Sequence, residues 1–117
     1  MITVTYLQRS GETTSGLSNG LTCGFTIEGH AGYARRGRDI ICASVSALAI
    51  NCINSIERFT EDGMETECNE KTGYLRLLLT ESVSRESQLL LDSLMLGLQD
   101  IQESYGSHYI NIRFEEV

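Results

Sequence analysis

Residues 21–58, LTCGFTIEGHAGYARRGRDIICASVSALAINCINSIER, change their period part-way along, and that change decides the fold. Up to Glu28 the chain alternates. Leu21, Cys23, Phe25 and Ile27 fall on one face, and Thr22, Thr26 and Glu28 on the other, as in a half-buried strand. From Ile41 the apolar residues recur instead at helical spacing: Val45, Leu48, Ala49, Cys52, Ile53 and Ile56. Between the two regimes lie three glycines and three arginines in Gly29–Arg38, then Asp39, a residue suited to cap a helix running to about Arg58.

Working outward, residues 2–8 alternate Ile2, Val4 and Tyr6 against Thr3 and Thr5 and read as a strand. The Gly/Ser/Thr stretch 10–20 ends in Asn19-Gly20, a turn signal, so the first two strands form a hairpin with a long loop. Residues 63–69 and 73–80 flank a Glu-Lys-Thr turn and read as a second hairpin, with Leu75, Leu77 and Leu79 toward the core. A second helix spans Ser84 to Ser104. Ser84 and Ser87 are both candidate caps, and Leu90, Leu91, Leu94, Leu98 and Ile101 form its stripe. The last strand is 108–115, with Ile110, Ile112 and Phe114 inward. The order β-β-α-β-β-α-β predicts an α+β two-layer sandwich, two helices on one face of a largely antiparallel sheet. Strand order is not readable from it. Proline is absent, so element ends fall to Gly, Asn and Ser.

The chain has 117 residues, the length of a single domain, and 41% hydrophobic residues, enough to fold. Net charge is −7 and the pI about 4.7, which argues against a general nucleic-acid binder. No run near the roughly 18 apolar residues of a membrane span is evident, nor a signal peptide, so a cytoplasmic protein is expected. Cys23, Cys42, Cys52 and Cys68 are spaced by 19, 10 and 16, without a CxxC pair, so free thiols are expected and a zinc site is disfavoured.

Chemistry concentrates in Gly29–Leu48. Cys42 falls in the first helical turn, where unpaired N–H groups and the helix dipole favour an anion. With Arg35, Arg36 and Arg38 upstream, its thiol pKa is expected to fall. His30 sits where the strand stops. A cysteine beside an imidazole suits covalent acyl transfer. An unbroken strand would put His30 on the polar face of Thr22, Thr26 and Glu28, so a Cys-His pair requires the chain to bend by Gly29. Ser46, four residues after Cys42, shares its helix face. Against this stands the plainer reading of each residue: a core cysteine, a capping Asp39, a solvated arginine loop, a turn histidine at His108. Cys23, Cys52 and Cys68 read as core or half-buried.

Gly29-His30-Ala31, the spacer Gly32–Arg38, Asp39-Ile40-Ile41-Cys42-Ala43 and Val45-Ser46-Ala47-Leu48 together resemble the ribosomal-processing cysteine protease Prp family of bacteria. The element order fits over nearly the whole chain. Ile41 replaces the usual Val, and the first hairpin loop is longer. The resemblance implies a cysteine endopeptidase that removes the N-terminal extension of large-subunit ribosomal protein number twenty-seven, with hydrophobic, partly aromatic residues beside the cut. It implies Cys42 as nucleophile and His30 as general base and acid, with Gly29, Asp39 and Ser46 in supporting positions. No cofactor or metal is expected, and neither nucleic acid nor membrane is an expected partner. A homodimer is expected, because Ala43, Ala47, Ile50, Leu89 and Leu96 widen the apolar faces of the helices. The loop 31–38, bracketed by Gly32 and Gly37 and carrying Tyr33, is expected to close over substrate. The acids Glu57, Glu61, Asp62, Glu65, Glu67 and Glu70 would attract a basic substrate. Two other classes remain at this point: a non-catalytic dimeric module that holds a ribosomal protein, and a thiol-redox or metal protein.

Overall fold

A computed structural model of the chain describes residues 1–9, 21–32, 34 and 39–117. The strands are β1 (Ile2–Arg9), β2 (Leu21–Glu28), β3 (Met64–Asn69), β4 (Tyr74–Leu79) and β5 (Ile110–Glu116). The helices are α1 (Ile40–Phe59) and α2 (Arg85–Tyr105). The expected element order and layer arrangement hold. The Gly/Ser/Thr loop 10–20 and Tyr33, Gly37 and the three arginines lie outside the described residues.

The sheet runs β3-β4-β2-β1-β5. Every pairing is antiparallel except β1 with β5, which is parallel and reached through the α2 crossover. Register decides which side chains meet the helices. Val4 lies opposite Ile27 and Tyr6 opposite Phe25; Phe25 faces Leu77, and Ile27 faces Leu75. This row meets Ile41, Val45, Ala49, Cys52 and Ile56 of α1 and Leu91, Leu94 and Leu98 of α2 in one buried cluster. Tyr6 also donates its hydroxyl to the Leu91 carbonyl at 2.7 Å, tying β1 to α2 without leaving a buried polar group unpaired.

Both helices start on oxygen caps. The Asp39 carboxylate accepts from the Ile41 and Cys42 N–H groups, and the Ser84 hydroxyl from the Ser87 N–H. Of the two serines proposed as caps, Ser84 holds the position. At its far end α1 stops at Thr60, whose hydroxyl donates to the Ile56 carbonyl at 2.7 Å.

Some expectations change. Phe114 shares the helix-side face of β5 and meets the Tyr6 ring edge-on at 6.1 Å, yet it is 58% exposed. β5 is an edge strand, and cover thins toward its end. Cys68 is exposed, because β3 is the opposite edge. By length and composition α1 could cross a membrane, contrary to the expectation that no such segment exists. In the fold its apolar stripe is instead buried against the sheet.

Candidate active site

Strand β2 ends at Glu28, and Gly29 turns the chain with a φ of 97°, a left-handed value that a side chain resists. A Cβ there would also lie 2.5 Å from the Met1 carbonyl oxygen. The bend removes His30 from the register of Thr22, Thr26 and Glu28 and brings it to a cleft at the start of α1. Gly29, His30, Gly32, Asp39, Cys42 and Ser46 all line this cleft, whose volume is about 770 Å³. That size suits a segment of peptide. Its walls are largely apolar, from Ile2, Ile27, Val45, Ile50 and Leu75.

Cys42 is half-buried, and its Sγ accepts the Ala31 N–H at 3.1 Å. The residue next to His30 therefore touches the sulfur directly. His30 is exposed, with Nε2 3.5 Å from the Lys71 carbonyl. Ser46 lies exposed on the cleft wall one turn beyond Cys42, and Gly32 has a φ of 72°. Asp39 is buried at the α1 cap.

The electrostatics overturn one expectation. Burial pushes the Cys42 thiol up rather than down; the Ala31 N–H opposes this, and the Asp39 carboxylate adds to it. Beyond burial, the cap withholds the stabilisation expected of a helix start. Asp39 Oδ1 takes the Ile41 and Cys42 N–H groups at 3.0 and 3.1 Å, so the donors that would have favoured a thiolate serve a carboxylate instead. Cys52, buried against α2, is pushed up to about 12 by desolvation, as befits a core thiol.

Other placements differ from the sequence reading in detail. Ala43 and Ile50, assigned to an interface, line the cleft. Asp62 does not join the acidic surface: its Oδ2 accepts from the Ser84 N–H and from the Ser84 and Ser87 hydroxyls. Glu57, Glu61, Glu65, Glu67 and Glu70 are exposed, and Glu70 borders the cleft. Cys68 and the turn after β3 also line it, which the sequence reading missed. The one available signal was the alternation of Met64, Thr66 and Cys68. Among the described residues no three His, Cys, Asp or Glu side chains gather to hold a metal ion.

A thiol and an imidazole share one peptide-sized cleft, at the junction of a strand end and a helix start, a combination that suits covalent acyl transfer. The family model described as "Cysteine protease Prp" matches residues 1–111. The chain belongs to the cysteine protease Prp family and is a cysteine protease. It is 28% identical to the ribosomal processing cysteine protease Prp of Staphylococcus aureus (strain Mu50 / ATCC 700699) over 82 residues, 70% of this chain and 77% of that protein. The protein of the same name from Bacillus subtilis (strain 168) is 28% identical over 85 residues, 69% of this chain and 76% of that one. The crystal structure of the S. aureus protease with a covalently linked product peptide superposes with a TM-score of 0.83 at 25% identity, covering 98% of this chain and all of the other. SMU.848 from Streptococcus mutans superposes at 0.78, also at 25% identity, over all of this chain and 96% of its own.

Proposed function

We propose that this chain is a cytoplasmic endopeptidase that removes the N-terminal extension of large-subunit ribosomal protein number twenty-seven, using Cys42 as nucleophile and His30 as general base and acid. The observation that carries the reading is the Ala31 N–H on the Cys42 sulfur, which ties the thiol to the segment bearing His30 on one cleft wall. The relatives' role in ribosomal processing and the S. aureus complex with product peptide support the substrate class.

Because the thiol pKa is raised, the resting nucleophile is a thiol, not a preformed thiolate. His30 takes the thiol proton as sulfur bonds to the scissile carbonyl carbon. The tetrahedral oxyanion needs donors, and the Ile41 and Cys42 N–H groups already serve Asp39. The Ala31 N–H, released as sulfur becomes bonded to carbon, is placed to turn to the oxyanion. Collapse breaks the C–N bond and His30 gives its proton to the leaving amine. Water, deprotonated by His30, then hydrolyses the thioester and restores the thiol. The apolar walls receive hydrophobic residues beside the cut, and the exposed glutamates attract a basic protein.

Incubation of the purified protein with unprocessed ribosomal protein from its host tests this by mass spectrometry. A single shortened product is expected, absent with Cys42→Ala or His30→Ala. Trimming by the Cys42→Ala protein at an appreciable rate would refute it.

We further propose a homodimer. Leu89 and Leu96, seven residues apart on α2, are 68% and 62% exposed, and Ala47 is exposed on α1. Such a stripe favours cover by a second copy. Sedimentation at micromolar concentration should give twice the 13.0 kDa chain mass, and Leu96→Glu should return it to one.

A further inference from the structure

We infer that the β3–β4 turn, Asn69–Gly73, is the positioning element of the catalytic pair, with the Lys71 backbone carbonyl setting the tautomer of His30. This rests on the reading of His30 as the general base. In proteases of this chemistry the imidazole needs a third group to hold it, yet Asp39, the one nearby carboxylate of the motif, is occupied with the first turn of α1. The turn fills that place from the other side of the cleft.

Three contacts join it to the histidine segment. The Gly29 N–H donates to the Thr72 carbonyl at 3.2 Å, fixing the backbone immediately before His30. His30 Nε2 lies 3.5 Å from the Lys71 carbonyl. Gly73, with a φ of 68°, backs both: a Cβ on it would collide with the Gly29 carbonyl and stand 3.2 Å from His30 Cε1, the carbon between the two ring nitrogens. The turn is itself held by Asn69, whose Oδ1 accepts the Lys71 N–H at 3.0 Å, while the Thr72 hydroxyl donates to the Asn69 carbonyl at 3.4 Å.

A carbonyl oxygen only accepts, so Nε2 must carry the proton to engage it. In a neutral imidazole that leaves Nδ1 as the lone-pair nitrogen, the one able to take the Cys42 proton. Such contacts are often long in the free enzyme and shorten with substrate bound. The side chain of Lys71 has no part in this; Asn69 and Gly73 are the residues whose identity matters.

Nitrogen-15 NMR of the imidazole reads the tautomer directly. A His108→Gln background leaves His30 as the only histidine, since the chain has two. Neutral His30 should show a protonated Nε2 and a bare Nδ1. Asn69→Ala should mix the tautomers and lower kcat about tenfold, a fraction of what a general base contributes, with KM unchanged. Asn69→Asp keeps the accepting oxygen and should restore both readouts. Gly73→Ala should lower kcat further, with circular dichroism confirming that the variant folds. A bare Nε2 in the parent, or Asn69→Ala with parental kcat and tautomer, would overturn the inference. If His30→Ala retained cleavage, the general-base reading would fail while the tautomer measurement still reported on the turn.

Discussion

The two helices among the described residues begin with the same device and put it to different uses. At the start of α2, Ser84 caps the helix and Asp62, arriving from the loop after α1, accepts three further hydrogen bonds from Ser84 and Ser87. Burial works against the Asp62 charge, but the Ser87 hydroxyl, the Ser84 N–H and the Ser84 hydroxyl outweigh it and hold its carboxyl below the ordinary 3.8. At the start of α1, Asp39 does the capping, and the half-buried group beside it is a thiol with its pKa raised. One end spends its donors and acceptors on stability. The other leaves the thiol proposed as nucleophile protonated at rest, on the wall of a cleft. A helix N-terminus favours an anion, but a cap that is itself an anion takes that place first.

Exchanging the two ends by mutation should separate activity from stability. Cys42→Ala should lower kcat/KM by about 10³-fold or more, as loss of a covalent nucleophile does, with the unfolding midpoint nearly unchanged. Asp62→Ala should do the opposite. It should cost about 2 kcal/mol in urea unfolding, less than three charge-assisted hydrogen bonds would sum to because solvent reaches the group. Cleavage at saturating substrate should stay at the parental rate. A large loss of kcat with Asp62→Ala would mean that the α2 end also acts on the site.

The same contrast predicts a pH dependence. A carboxyl whose folded pKa is depressed contributes stability above its unfolded pKa, and that contribution is lost as pH falls through the folded value. The parent protein should therefore lose stability relative to Asp62→Asn below about pH 3.8. Urea midpoints from pH 6 to pH 2 check this, and parallel curves throughout would remove the role given to Asp62.

Much of this was legible in the sequence. The switch from period 2 to period 3.6 located β2 and α1, because one-sided burial imposes both periods. The need for a bend at Gly29 was legible as well, since a His on the polar face cannot reach a Cys on the helix. Strand order was not, because β4 joins β2 through a backbone ladder between residues far apart in the chain, and backbone groups carry no local sequence mark. The direction of the Cys42 pKa was misread for a related reason. Sequence shows that an aspartate caps the helix, but not how far the fold buries the sulfur, which is the larger cause, nor that the cap oxygen takes the Cys42 N–H and adds its charge beside it. The Asn69–Gly73 turn read only as a hairpin end; its contact with His30 spans some forty residues of chain.

The smallest expected effect is the most informative about the α1 end. Asn and Asp are nearly equal as N-caps, so Asp39→Asn should keep the Ile41 and Cys42 N–H bonds and change stability by no more than about 0.5 kcal/mol. It removes a negative charge beside the sulfur, and that charge raises the thiol pKa. The thiolate fraction at neutral pH should therefore rise. Alkylation by iodoacetamide, followed on the Cys42 peptide by mass spectrometry, reports it, because only the thiolate reacts. In the parent protein the rate should climb through pH 9, the ordinary value for a thiol, with no plateau near neutrality. In Asp39→Asn the whole curve should move to lower pH. Cys52 supplies the internal comparison, being held up to about 12 by burial with no carboxylate contribution, and its peptide should stay unmodified in both proteins. A neutral plateau in the parent would show a standing thiolate. An unmoved curve in Asp39→Asn would show that burial alone raises the thiol, and that the anionic cap does not set the resting state of the nucleophile.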